Sequence, residues 1–488
     1  MPAILSGRAQ PQSRALVLAI IVVCQLMIVL DASIVITALP KIHEALGFSS
    51  ASLSWVQNAY TLTFGGLLLL GARAGDILGR RRVFIAGIGL FSVASLAGGL
   101  AQSAEWLLIA RSVQGVGAAI AAPSTLALLT TSFREGEERS RALALYAAAS
   151  AAGGSLGLVL GGMLTDWVSW RWGLFINVPI GSAVMALAPR FLPETPRIPG
   201  RFDAIGAITS TLGMGLLVYG FVRAASDGWS DPQAVTSFAA SAALLAAFVR
   251  TELTADQPIT PLRLFAHRER AGAYLARVLF VGGFFGMFFY MSQFLQGVLG
   301  YSPLEGGLAF LPTTIVIFSL AQVLPRLIAR YGNARLLAVG VLLAFLGMAW
   351  LSRVSVDSTY LADVALPLLL VGTGAGLAFG PLTAAGITGV EPHDAGAASG
   401  IVNAAHQVGG SVGLGILVTV FAAATPHATS AASLAHGVST SVTGSAVFVG
   451  LALAVVLATM VRRPPAPALA TEPEPQEVAV VAALGEAA

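Results

Sequence analysis

The sequence predicts an all-α integral membrane protein of 14 transmembrane helices, with two six-helix bundles joined by two additional linker helices. Three observations carry this prediction. The first is composition: of 488 residues, 56% are hydrophobic and 10% charged, and the mean hydropathy is +0.81. A soluble domain carries about 25% charged residues. So much apolar surface cannot be hidden in one core, and lipid must be the solvent. The second is that apolar runs of about 20 residues, enough to span a bilayer, recur along the whole chain. The third is that basic residues favour alternate loops, as membrane topology requires.

The runs fall near 15–39, 54–72, 83–101, 106–129, 142–165 and 171–190, then 204–222 and 234–250. Six more lie near 274–297, 306–324, 334–353, 360–383, 400–424 and 440–461. The first run is longer than the roughly 7–15 residues of a signal-peptide core, so it is read as a retained helix. The eighth contains SFAASAALLAAFV and carries the faintest apolar signal. With the N-terminus placed in the cytoplasm, 22 of the 27 Lys and Arg fall on the cytoplasmic side. Lys41, Arg171, Arg223 and Arg353 fall outside, and Arg111 falls within a span. A missed helix would invert every later loop and erase this bias, so both termini are expected in the cytoplasm.

Two loops on that side echo each other. DILGRRRVFIAG (76–87) aligns with ARYGNARLLAVG (329–340), matching Gly79 to Gly332, Arg82 to Arg335 and Gly87 to Gly340. Both join the second and third helices of a six-helix block if the seventh and eighth spans are an insertion. Parallel repeats of this kind build one of the known transporter plans, with a substrate cavity between the halves. The expected organisation is a cytoplasmic segment 1–14, a first bundle 15–200, two additional helices 201–270, a second bundle 271–463 and a tail 464–488. The tail is rich in Pro, Ala and Glu and is expected to be disordered.

Several classes of function are excluded or disfavoured. Lys41 is the only lysine and lies outside any Gly-rich loop, so no GxxxxGK[ST] nucleotide loop exists to drive an ATP-powered pump. Cys24 is the only cysteine, which rules out an intrachain disulfide and a cysteine-based zinc site. The net charge of +3 follows from loop topology and does not call for a nucleic-acid partner. Ser399 and His406 are seven residues apart on one helix, ~10.5 Å of rise, too far for a nucleophile–base pair. His393 and Asp394 lack the further ligands a metal site needs.

Asp31 is the one acid well inside a span, in LVLAIIVVCQLMIVLDASIVITALP. Intramembrane acids usually face a cavity and serve ion or proton pathways. Arg111 is the matching base. Asp31 lies nine residues before Pro40 and Arg111 five after Trp106, which puts both in the outer half at comparable depth. They are expected to pair directly or through Gln114, Gln57 or Asn58. Such a pair is either a switch released when a proton reaches Asp31 or a static buried ion pair. Four further amides inside spans, Asn177, Gln293, Asn403 and Gln407, join Gln57, Asn58 and Gln114 as candidates for the substrate cavity. Asp76, in GARAGDILGRRR, sits unfavourably at a helix C-terminal end and is expected to face Arg80 or a neighbouring helix N-terminus, where it could latch the two halves together, while the neighbouring arginines also serve as a topogenic anchor. Gly153, Gly157 and Gly161 recur every four residues on the fifth span, where another backbone can approach closely.

With these residues in view, the chain resembles the fourteen-span drug:proton antiporters of the major facilitator superfamily, from Leu30 to about Phe421. LDASIVITALP is similar to the first-helix motif and places its acid at Asp31. GDILGRRR resembles the cytoplasmic loop motif through Asp76, Gly79, Arg80 and Arg81. RSVQGVGAAIAAP resembles the fourth-helix motif and places the arginine implicated in proton coupling at Arg111. GGSLGLVLGG resembles the fifth-helix antiporter motif through Gly153, Gly157, Gly161 and Gly162. WRWGLFINVPIG, SPLEGGLAFLP and SGIVNAAHQVGGSVGL are similar to further family segments. Two positions depart: Ala72 stands where the loop motif opens with Gly, and Leu158 where a bend-forming Pro is expected.

The resemblance implies a major facilitator fold, no enzymatic activity and no cofactor, the proton gradient supplying the energy. It implies export of lipophilic or antibiotic-like molecules by alternating access, from a monomer in the plasma (inner) membrane. Because the chain offers little cavity acid beyond Asp31, a neutral, zwitterionic or bulky amphipathic substrate is expected at least as readily as an organic cation. The alternatives left open are an uptake carrier on the same fold and, more remotely, a membrane-embedded enzyme or signalling protein.

Overall fold

The computed structural model describes residues 11–461 except 135, 198–202, 256–257, 259, 392–393 and 426–429. The expected tail, residues 1–10 of the N-terminal segment, Arg201 and His393 lie outside the described residues. Among the described residues, 14 helices are long and apolar enough to cross a membrane. They are α1 (Arg14–Leu46), α2 (Ser52–Leu78), α3 (Arg80–Gly99), α4 (Ala104–Ser132), α5 (Glu137–Trp167), α6 (Trp172–Phe191), α7 (Ala204–Asp227) and α8 (Pro232–Thr254). The chain continues through α9 (Arg268–Gly297), α10 (Pro303–Tyr331), α11 (Asn333–Leu351), α12 (Tyr360–Ile387), α13 (Ala395–Ala424) and α14 (Ala431–Val461).

Several helices outrun the apolar signal that marks them. The 33 residues of α1 rise ~50 Å, well beyond a hydrocarbon layer of about 30 Å. Its last turns pass Pro40 and end in a polar stretch where Lys41 and Glu44 pair at 2.9 Å. Hydropathy marks the part of a helix that lipid covers, whereas the backbone hydrogen bonds continue into water.

The bundles repeat each other's packing. In the first, α2 and α3 pack on α4 and α1 on α5; in the second, α10 and α11 pack on α12 and α9 on α13. The turn from α2 to α3 is made at Gly79 with φ 102°, and the turn from α10 to α11 at Gly332 with φ 81°. A side chain at either position would be strained in this left-handed region. One step further along, Gly87 lies against the Gly117 carbonyl of α4, and Gly340 against the Gly374 carbonyl of α12. The sequence echo therefore marks two equivalent helix–turn–helix corners.

Between the bundles, α2 lies against α13, α5 against α10 and α1 against α9. The additional helix α7 contacts both α2 and α13 and covers the seam between them, with Val218 and Val222 packed on Leu62. Helix α8 packs on α7, where Phe221, Trp229 and Phe238 pair their rings at 5.2–6.1 Å.

The turn between α7 and α8 is fixed by Asp231. Its carboxylate accepts from the Ala234 N–H at 3.0 Å, capping α8, and from Arg223 at 3.1 and 3.3 Å. The Arg223 hydrogen bond holds the Asp231 carboxyl below its ordinary range. A depressed acid contributes stability above its unfolded pKa of about 3.9 and loses it as pH falls through the lower folded value. Asp231→Asn is therefore expected to melt below wild type at pH 7, with the gap closing only below about pH 4. Melting curves of the detergent-purified pair across pH check this, and a gap independent of pH contradicts it.

Candidate functional site

Asp31 and Arg111 are both fully buried and in direct contact, with Arg111 Nη1 donating to Asp31 Oδ2 at 2.6 Å. Five helices build the surroundings. From α4, Gln114 sits one turn after Arg111 and donates to Asp31 Oδ1 at 2.6 Å. From α6, Asn177 donates to the same oxygen at 2.7 Å. From α3, Ser95 Oγ accepts from Gln114 at 2.8 Å and orients its amide. From α2, the Val56 carbonyl accepts from Arg111 Nε at 3.1 Å, and the Tyr60 ring lies 4.4 Å beneath the guanidinium. The carboxylate thus receives three hydrogen bonds, two from neutral amides and one from its counter-ion. A buried pair of this kind offsets its desolvation only while charge and hydrogen bonds are complete. Loss of the negative charge leaves Arg111 a buried, uncompensated cation, so charge on Asp31 is strongly linked to how these five helices pack.

The next residues on α1, Ala32 and Ser33, line a cavity of about 520 Å3 between the bundles. Phe284, Phe288 and Phe379 form much of its far wall, with Phe284 at 5.0 and 5.4 Å from the other two in edge-on contact. The lining is otherwise mostly aliphatic or small, with Gln57, Arg277 and His406 as its large polar side chains. The cavity is closed at the end away from the arginine-rich loops. There Ser292 donates to the Ile36 carbonyl and Gln296 to the Thr37 carbonyl, both at 3.0 Å. Gly162 of α5 abuts Pro303 and Leu304 of α10, and Gly307 of α10 abuts Leu158 and Val159 of α5. Toward the arginine-rich end, Ser150 and Gly154 of α5 line open space, and a Cβ added at Gly154 would meet nothing within 4 Å. The cavity therefore extends toward the basic face.

The candidate cavity residues separate into groups. Gln57 lines the cavity, and both polar atoms of its amide lack a hydrogen-bond partner among the described residues. Asn58 is fully buried beside it with its amide likewise unpartnered. Gln114 and Asn177 are corrected from cavity residues to members of the Asp31 cage. Gln293 is turned to its own helix, donating to the Phe289 carbonyl at 3.4 Å, and Asn403 is exposed and donates to the Ser399 carbonyl at 3.0 Å. Gln407 packs on Gly65 across the α2–α13 seam. None of these last three is among the residues lining the cavity. Polarity within a span marks a residue as unusual, but only the rotation of the helix decides what it faces.

The loop motif meets one expectation, the pairing of Asp76 with Arg80, and departs from another, the latch between halves. Asp76 pairs with Arg80 one turn on, and Arg81 reaches the Leu192 and Pro189 carbonyls at 3.1 and 3.4 Å. Glu194 lies 3.7 Å from both Arg81 and Arg82, and its carboxylate abuts Gly79. All these partners belong to the first bundle, so in this conformation the motif fastens α2, α3 and the end of α6 together. A latch between halves is not made by these contacts. On α5, Gly153, Gly157 and Gly161 pack on Val29, Leu30 and Ile34 of α1, inside one bundle, while Gly162 alone of the four touches the other. The helix runs unbroken through Leu158, whose carbonyl meets Gly307.

Arg277 and His406 were missed as site residues. Counting charges assigned Arg277 to the cytoplasmic loops, yet it lies within α9, 8% exposed, donating to Thr383 Oγ1 at 2.9 Å. The available signal was its position inside an apolar run, in AYLARVLFVGG.

Two matched bundles around a central cavity, with a caged ion pair beside it, define a membrane transporter rather than an enzyme. The chain belongs to the major facilitator superfamily, whose sequence pattern, described as Major Facilitator Superfamily, matches residues 21–414. It is 40% identical over 454 residues to the puromycin resistance protein pur8 of Streptomyces alboniger, covering 91% of this chain and 89% of that one. It is 39% identical over 477 residues to the cephamycin export protein CmcT of Amycolatopsis lactamdurans, covering 96% of each. It is 34% identical over 421 residues to the lincomycin resistance protein of Streptomyces lincolnensis, covering 84% and 85%. In fold it is similar to an inward-facing, occupied bacterial homolog of the human lysosomal transporter Spinster. That match has a TM-score of 0.68 at 16% identity, covering 94% of this chain and 100% of the other.

Proposed function

We propose that this chain exports lipophilic, antibiotic-like molecules in exchange for protons, with Asp31 as the proton-carrying group. The observation that carries the reading is the Asp31 cage: a fully buried carboxylate, bonded to a buried arginine, one residue from the wall of an apolar cavity. Relatives whose names record puromycin resistance, cephamycin export and lincomycin resistance support an antibiotic-like cargo. The positive-inside bias supports placing the basic face and both termini in the cytoplasm of a plasma-membrane protein. On that orientation the cavity described above takes substrate from the cytoplasmic side. A proton arriving at Asp31 from outside weakens its tie to Arg111 and to Gln114 and Asn177, and so shifts the balance between conformations that open to opposite faces. No ion other than the proton and no cofactor is required, and one polypeptide contains the whole path.

The test uses inside-out vesicles loaded with a pH-sensitive dye and energised to an acidic interior. Adding a cephamycin should raise the internal pH in vesicles carrying the protein but not in empty ones. A substrate that accumulates with no proton movement, or moves only with the proton rather than against it, would overturn the proposal.

A further inference from the structure

We infer that the cavity is built to take an anionic, carboxylate-bearing aromatic amphiphile, with Arg277 as the residue that selects it. The inference deepens the exporter reading and rests on it only in treating this cavity as the substrate's path.

The charge in the cavity is one-sided. Arg277 is the charged residue in its lining, His406 beside it is a polar one, and no Asp or Glu is among its lining residues. Asp31, the acid adjacent in sequence to the lining, is fully buried and already engaged by Arg111, Gln114 and Asn177. Arg277 has no ion-pair partner among the described residues. Its single hydrogen bond to a side chain goes to a neutral hydroxyl, Thr383, and its buried Nε has no partner. An arginine that is 8% exposed and has guanidinium donors left over is costly unless something completes its shell. Its planar fork matches a carboxylate, which can accept two parallel hydrogen bonds.

The rest of the wall describes the remainder of the ligand. His406 stands between Phe285 and Phe379, with ring centroids at 5.6 and 5.8 Å, and its Nδ1 has no partner among the described residues. It supplies a second polar contact on the same side of the cavity as Arg277. Phe284 and Phe288 extend the aromatic surface, suited to a flat apolar body. Across the cavity, Gln57 presents an unpartnered amide that fits a carbonyl or N–H of the cargo. A cation placed here meets an arginine and no acid, so the same geometry disfavours organic cations of like size.

The test measures binding to the full-length protein in detergent, with no gradient imposed. Three fluorescent probes of similar bulk are used: dansyl-phenylalanine, its neutral amide dansyl-phenylalaninamide, and the cationic dansylcadaverine. Wild type should bind the carboxylate at least about tenfold more tightly than the amide, and the cation more weakly still. Arg277→Met should erase the preference for the carboxylate by lowering its binding far more than that of the amide, and Arg277→Lys should restore part of the preference. Equal binding of carboxylate and amide by wild type, or preference for the cation, overturns the inference without recourse to any variant. Loss of amide and carboxylate binding together in Arg277→Met would assign Arg277 a structural role and also overturn it. Binding that prefers the carboxylate alongside vesicles that move no protons would instead sink the exporter mechanism and leave this inference standing.

Discussion

Asp31→Asn is expected to abolish proton-coupled exchange, lowering it to the level of empty vesicles, while the protein still inserts in the membrane. The substitution preserves size and removes the titratable charge. It also leaves Arg111 buried without its counter-ion, and breaking a buried pair from one side costs about 3–5 kcal/mol. Detergent-purified Asp31→Asn should therefore melt well below wild type. Arg111→Gln should show a comparable loss, because it strands the carboxylate instead. The double substitution removes both charges, so it should be more stable than the sum of the single effects allows, and this coupling is what a double-mutant cycle reads. Neither single variant nor the double should recover coupled transport. Wild-type exchange in the Asp31→Asn protein would remove the proton-carrier role. Strict additivity in melting would show that the 2.6 Å contact between Asp31 and Arg111 contributes nothing to stability.

The second large effect is expected where the bundles meet. Gly162 faces Pro303 and Leu304, and Gly307 faces Leu158 and Val159, so a side chain at either position would invade the opposite bundle's backbone. Gly162→Leu or Gly307→Leu should disfavour closure of the end away from the arginine-rich loops, the outer end on the proposed orientation, and slow turnover. Overpacking of this kind costs about 1–3 kcal/mol, and applied to one of two conformations it changes their ratio by about 5- to 150-fold. The readout is thiol labelling from the outer side at a cysteine introduced in place of Gln296, in a Cys24→Ala background. Labelling should be slow in the parent and many-fold faster in Gly162→Leu. Gly157→Leu provides the contrast. Its glycine packs on Leu30 and Ser33 within the first bundle, so it should lower the melting temperature without accelerating labelling. Equal acceleration by both variants would mean that loosening of the first bundle, rather than opening of the seam, exposes the site.

These two predictions draw on different amounts of sequence information. Asp31 and Arg111 could be paired from sequence because charge inside lipid is so costly that few residues carry it. One acid and one base at comparable depth have few other partners. The glycine spacing on α5 was equally visible, but which neighbour each glycine meets was not. Gly157 and Gly162 sit in one short motif and look alike on paper, yet one is an internal packing residue and the other part of the seam. The same ambiguity explains the cavity. Gln57, Gln114 and Gln407 are each an amide in an apolar run, and they end respectively on the cavity wall, in the carboxylate cage and at the bundle seam.

The sequence by itself determined the lipid environment, the count of 14 helices, their repeated six-helix order and the Asp31–Arg111 pair as the feature of interest. Each follows from local physics: the length of an apolar run, the cost of charge in hydrocarbon and the need for glycine where the chain turns with positive φ. The tertiary structure alone decided which face of each helix meets the cavity, which end of that cavity is closed, and that Arg277 stands inside it with no acid opposite. The reason is rotational. A helix surrounded partly by lipid is apolar on nearly every side, so its sequence does not mark an inward face, and only packing against its neighbours fixes the direction of each side chain.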